Sequence, residues 1–400
     1  MFIKKVFYNL IFTTILFSQI LTVACNVKKQ QACRMTSEYK VSSVSSKILD
    51  LNLLENSNNN FTVFWSEPDG VYFKNIDKNG IARADKQMVR LEDQHPDIIK
   101  GFKESKFNPL KNVKKISSVK TGKNRAAIFV AVENDFNKYT IYAALADISK
   151  PSIKAIVPLG VSHSNNISGT YDGEFIFAAF QQKNEDKTVL LKMDLDGNIL
   201  KTKIIKSSFH SEPVIFYNGQ ERLLLYSKVS TLKKILTSVT VTKGLISGPE
   251  NKIAEHHIDS ISPFITRQNN GYALLFRDNE DKDNMEEFYY LLLDKSGKPK
   301  SKPIRISRSD GDFGPSLTSS DTLFFSAAIR SYRSNYLVGF NRFNKQGVKQ
   351  GGEFQIYADK NNFTRVQLIT PAKDKNSVLI VYAEQKEEEA KVLSATITCR

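Results

Sequence analysis

Short apolar runs recur along this chain at a near-constant spacing. They read FTVFW from Phe61, AAIFVAV from Ala126, EFIFAAF from Glu174, RLLLY from Arg222, YALLF from Tyr272, TLFFSAA from Thr322 and SVLIVYA from Ser377. The steps between their starts are 65, 48, 48, 50, 50 and 55 residues. Each run is too short for a helix and is rich in aromatic and β-branched residues, which predicts a strand. The runs do not alternate with polar positions, so each strand is expected to be covered on both faces. Self-similarity at this period is the signature of a repeat architecture.

A second pattern keeps the same beat. About twenty residues into each repeat comes a tight polar turn: IDKNG (Asp77 to Gly80), MDLDGN (Asp194 to Gly197), LDKSG (Asp294 to Gly297) and FNKQG (Asn344 to Gly347). Degenerate copies lie near Asp147 and Gly244. Asp or Asn opens such a turn by bonding its own backbone, and Gly supplies the positive φ that closes it. The turns therefore read as hairpins joining a third strand to a fourth. An inner strand precedes each apolar run, in three repeats announced by proline (Pro213, Pro263 and Pro315).

Four-stranded units of this length predict an all-β, seven-bladed β-propeller. A six-bladed ring with an irregular first repeat and tandem β-sandwiches are the alternatives, although a sandwich needs roughly twice this period per core. The seventh repeat has only three strands: RVQLIT, SVLIVYA and KVLSATITC. SEYKVSSV (Ser37 to Val44) has strand character and is expected to complete that last blade. A blade left open would expose an unpaired edge.

Composition adds a compartment. The first residues carry Lys4 and Lys5, then a mostly apolar stretch to Val23, then Ala24 and Cys25. This predicts a secretory leader over 1–24, with Cys25 acylated in a lipobox-like setting and 25–36 as a tether to the domain at 37–400. Asn9, Ser18 and Gln19 dilute the stretch as a spanning helix. The chain has three cysteines. If Cys25 carries lipid, Cys33 and Cys399 remain to pair, and export places them where a disulfide persists. Such a bond would stand in for the hairpin turn missing from the last blade. The net charge of +15 falls to +13 once Lys4 and Lys5 leave with the leader. Lysine is spread along the chain, so no nucleic-acid patch is read. The expected location is the bacterial cell envelope, facing the periplasm or the exterior, as a monomer held to the membrane by its lipid.

Candidate chemistry concentrates in the connections between repeats. His95, His163, His210, His256 and His257 fall there, followed by Asp310, Asp312 and Arg365. In a propeller these connections gather round the axis on one face, so His95, His163, His210, His257, Asp310, Asp312 and Arg365 are the predicted ligand-binding ring at the channel mouth. No metal or cofactor is assigned. The excess length around Leu91 to Asn112 suggests a short amphipathic helix over one face. Asp278 to Glu287 and Glu384 to Glu389 are acidic loops. No nucleophile motif, H-E-x-x-H motif or phosphate loop appears, and the one tryptophan, Trp65, is expected in the core.

The run-and-turn text, as in LDKSGKPKSKPIRIS and MDLDGNILKTKIIKSS, resembles uncharacterised bacterial exported lipoproteins built as a β-propeller. It is similar, more weakly, to the propeller lipoprotein of the outer-membrane β-barrel assembly machinery, whose tryptophan-bearing docking repeats are missing here. The resemblance implies a protein-binding or assembly scaffold at the cell envelope, with a protein or polysaccharide partner, and carries over no residue. A hydrolase or lyase using the histidines, and an adhesin for a polysaccharide or host ligand, are the other expectations.

Overall fold

The computed structural model describes residues 33–399, apart from 57–59, 92–109, 136–137, 150–151, 183–185, 209–210, 231–232, 247, 257–262, 269–270, 279–286, 307–312, 333–334, 358–361, 372–375 and 388. Every regular element among them is a strand, and the strands form seven separate sheets. We number the blades along the chain and letter their strands A to D from the axis outward. Blade 3 shows the plan: Ile167–Tyr171, Ile176–Gln181, Lys187–Met193 and Ile199–Lys206, each antiparallel to the next. The leader, Cys25 and the Leu91 to Asn112 excursion lie wholly or mostly outside the described residues. At the start of that excursion, Arg90–Leu91 adds a parallel fifth strand to blade 2 beside Ser152 and Ile153.

The apolar runs are the B strands, and they are covered on both faces. Phe61–Glu67 and Ile176–Gln181 are buried at every position. Their side chains alternate between two inter-blade cores: Phe177 and Ala179 face blade 4, while Ala178 and Phe180 face blade 2. A blade thus has no private core. Each side chain of Leu or Phe size so buried contributes about 1.5–3 kcal/mol, and it does so only when the neighbouring blade is present. Trp65 is fully buried as expected, with its Nε1 donating to Glu67 Oε1 at 2.8 Å.

The C-to-D turns repeat one geometry four times. The side-chain oxygen of Asp77, Asp194, Asp294 or Asn344 accepts backbone N–H groups two and four residues on, at 2.8–3.0 Å. Gly80, Gly197, Gly297 and Gly347 follow with φ of 80–88°. At Asp294, burial pushes the carboxyl up, but hydrogen bonds from Ser296 and Lys298 outweigh it and hold the group below its ordinary range. Each turn also leans on the preceding blade. Ser394 Oγ of blade 7 donates to Gly80 O at 2.6 Å, and Ser238 Oγ of blade 4 donates to Gly297 O at 2.8 Å.

The last blade closes as the sequence predicts. Its A, B and C strands are Asn362–Ile369, Ser377–Lys386 and Glu389–Cys399. Tyr39–Val44 pairs antiparallel with Ala390–Ser394 and supplies the outer strand. The added edge reaches further back than Ser37: Cys33–Met35 forms a second short strand on Ile397–Cys399. Cys33 and Cys399 are register partners, their Cα atoms 4.0 Å apart, and a disulfide joins them across 366 residues. The chain is therefore a seven-bladed propeller, and neither a six-bladed ring nor a row of sandwiches.

Candidate functional site

The seven A strands surround the axis, and polar side chains bridge one to the next. Ser168 Oγ accepts from Ile215 N at 3.1 Å, and Ser316 Oγ accepts from Leu368 N at 2.9 Å. Asp50 fills the corresponding role in blade 1, where Oδ2 accepts from Ile116 N of blade 2 at 2.8 Å. Its other oxygen, Oδ1, accepts from Arg365 Nε of blade 7 at 3.1 Å. Arg365 also donates to Leu49 O at 2.7 Å, so this pair joins the first blade to the last at the axis. A carboxylate only 1% exposed is tolerated because both oxygens are bonded and a cation faces it. Asp50→Asn is expected to lower stability by about 2 kcal/mol, the worth of a hydrogen bond to a charged group. Urea titration at unchanged m-value checks it; a midpoint equal to wild type would show that Asp50 is not a structural tie.

Above these bridges the A strands enclose a cavity of about 470 Å³ lined from all seven blades. Its charged lining is Asp50, Lys114, Lys115, Glu212, Arg277 and Arg365, among Asn52, Asn165, Asn166 and Gln367. Most of these residues stand at or near the starts of A strands, so the cavity opens on the face that carries the D-to-A connections. The C-to-D turns and the Cys33–Cys399 bond lie at the other end of the strands. Lys114 is paired with Glu133 at 3.0 Å, and Lys115 Nζ lies 3.7 Å from Asp50 Oδ2.

The predicted ring is only partly within view. His163 sits half-buried in the connection between Ser152–Ser162 and Ile167–Tyr171, while the cavity wall nearby is made by Asn165 and Asn166. His95, His210, His257, Asp310 and Asp312 lie outside the described residues. Arg365 does line the cavity, but from inside an A strand and not from the connection before it. The A strand begins at Asn362, three residues before Arg365, and a bulge between Phe363 and Arg365 takes up one extra residue within it. Among the described residues no group of three or more His, Cys, Asp or Glu comes together as a metal site.

Asp50, Lys115 and Glu212 were not singled out by the sequence reading. A signal existed. Aligned on the apolar runs, Asp50 and Lys115 both stand 11 positions before their B strand, Glu212 stands 10 before and Arg365 stands 12 before. The pattern is a column of charges near the starts of the inner strands.

No family model and no curated protein matches this chain. Among solved structures it is similar to the subtype N11 neuraminidase-like protein of A/flat-faced bat/Peru, at 8% identity and a TM-score of 0.47, covering 72% of this chain and 87% of that one. It is similar to the AfRom2 CNH domain at 10% identity and a TM-score of 0.49, covering 90% and 98%. A chain of the S. cerevisiae dbp5 structure with nup159 and gle1 gives 9% identity and a TM-score of 0.47, over 92% and 96%. The architecture rests on the seven sheets themselves.

Proposed function

We propose that this protein is an exported, lipid-anchored scaffold of the bacterial cell envelope that binds a protein partner at the mouth of its axial cavity. The observation that carries the reading is a closed ring around a cavity of about 470 Å³, of mixed polar and apolar lining, to which all seven blades contribute. A ring bonded at its joint presents fixed groups with little left to order on binding. The disulfide suits an oxidising compartment, which is where the leader would deliver the chain. Cys25 precedes Cys33 by eight positions, a reach of at most about 28 Å when extended. A lipid on Cys25 would therefore hold the C-to-D face near the membrane and turn the cavity outward.

Two measurements test the reading. Cys25→Ala is expected to move the protein from the membrane fraction to the soluble one and to abolish labelling by a palmitate analogue; retention of both would end the anchored part of the reading. A photo-cross-linker at Asn166 is expected to trap one envelope protein that the same group at Lys203, on the outer strand of blade 3, does not. Equal trapping at both positions would remove the channel mouth as the recognition face. The triple substitution of His163, His210 and His257 should leave trapping intact, because no step of the scaffold's action needs proton transfer.

A further inference from the structure

Asp50 offers one negative charge, both of its oxygens are bonded, and it is 1% exposed. Two cations attend it: Arg365, with Nε at 3.1 Å, and Lys115, with Nζ at 3.7 Å. The wall formed by blades 7, 1 and 2 therefore carries one positive charge in excess. At 3.7 Å the ammonium of Lys115 is beyond hydrogen-bond distance, and it makes no hydrogen bond to any described residue. Its side chain is 32% exposed and that of Arg365 is 38% exposed, and both line the cavity. An ammonium about two-thirds withdrawn from water, with no hydrogen bond to a described residue, is open to an anionic oxygen. The low-dielectric walls of a concave site focus the field of these charges and strengthen that attraction.

The rest of the lining narrows the choice. Glu212 lines the cavity from blade 4, so a second negative charge brought against that wall meets repulsion, while Arg277 of blade 5 lines the cavity as a further cation. Asn166 and Gln367 flank the cationic wall, on blades 3 and 7, and side-chain amides match the donors and acceptors of a peptide main chain. From this we infer that the cavity receives a single carboxylate carried on a peptide segment, with Lys115 and Arg365 as its cationic contacts and Glu212 as the group that rejects polyanions. The inference rests on the scaffold reading and names the chemistry of its partner. The carboxylate can belong to a Glu or Asp side chain or to a chain terminus.

The test is titration of the full exported domain with short peptides of sequence Gly-Ser-X-Ser-Gly, followed by NMR at low salt. The amidated peptide with X = Glu is expected to bind at least about tenfold more tightly than its X = Gln counterpart, the scale of one charged contact in a desolvated site. A Gly-Ser-Gln-Ser-Gly peptide with a free C-terminal carboxylate distinguishes a terminal from a side-chain source. Lys115→Gln is expected to erase the Glu preference, whereas Lys203→Gln, an equal loss of net charge on the outer strand of blade 3, leaves it in place. Glu212→Gln is expected to let a peptide with two adjacent Glu residues bind as well as the single-Glu one. Lys115 also faces the buried Asp50 at 3.7 Å, so its variant is melted beside the wild type and titrated only well below its own midpoint; Arg365, which ties blades 7 and 1, is not used as the probe.

Equal binding of the Glu and Gln peptides, or a Glu preference that survives Lys115→Gln, overturns the inference. So does an oligogalacturonate that binds at Lys115 where the peptides do not, which would make the ligand an acidic polysaccharide. Those outcomes leave the scaffold reading standing. Conversely, equal trapping at Asn166 and Lys203 removes the scaffold's recognition face while a Glu-selective cavity survives.

Discussion

Reduction of the Cys33–Cys399 bond is expected to lower the thermal midpoint by about 5 °C, the larger of the two effects argued here. The bond spans 366 residues, so it removes most of the freedom with which the ends of the unfolded chain would otherwise separate. Loop-closure entropy for that length is on the order of 5 kcal/mol, an upper figure because unfolded chains retain some compaction. At this size each kcal/mol shifts the midpoint by only about 1–2 °C. The reduced ring should loosen without falling apart, since Tyr39–Val44 still pairs with Ala390–Ser394 and Cys399 is nearly buried. Hydrogen exchange should rise first in Cys33–Met35 and Ile397–Cys399. Calorimetry with and without reductant checks the size, and Cys33→Ser should match the reduced protein. An unchanged midpoint would mean that the strand pairing alone closes the ring.

Gly297→Ala is expected to cost about 3 kcal/mol, and Gly173→Ala about 1 kcal/mol. Both glycines have positive φ, 84° and 96°, and an L-residue pays about 1 kcal/mol for that conformation. What separates them is the neighbouring blade. A Cβ on Gly297 would lie 2.5 Å from Ser238 Oγ and 2.6 Å from Leu223 Cδ1 on blade 4, whereas nothing lies within 4 Å of one on Gly173. Both blade 4 atoms belong to buried residues, so relief requires the turn to back away, at the cost of overpacking and of the bond from Ser238 Oγ to Gly297 O. Paired denaturant melts check the contrast. If the two variants lose equal stability, the turn acts through its own conformation alone and not as a contact between blades.

These glycines also show how far the sequence could be read. The sequence asked for Gly at the turn because of local φ, and Asp294 and Asn344 were legible for the same local reason: their oxygens bind the backbone two and four residues on. Nothing in LDKSG tells that the same glycine is pressed against Ser238, 59 residues earlier. The inner strands taught a related lesson. Arg365 was noticed in the sequence but assigned to a connection, because the polar text before it hid that the A strand starts three residues earlier, at Asn362. Asp50 looked like the polar start of an ordinary strand. Its burial between cations from blades 2 and 7 arises only when chain positions 315 residues apart meet at the axis.

The sequence by itself determined the apolar strands, their period and the turn chemistry; it favoured seven blades over six, and it paired Cys33 with Cys399 on the expectation that Cys25 carries lipid. All of these follow from short-range rules, repeated often enough that each copy confirms the others, or from the count of thiols. Only the tertiary structure decided which charges face one another. A propeller brings one residue from each distant repeat to a common axis, and the sign and spacing of that gathering are a property of the closed ring.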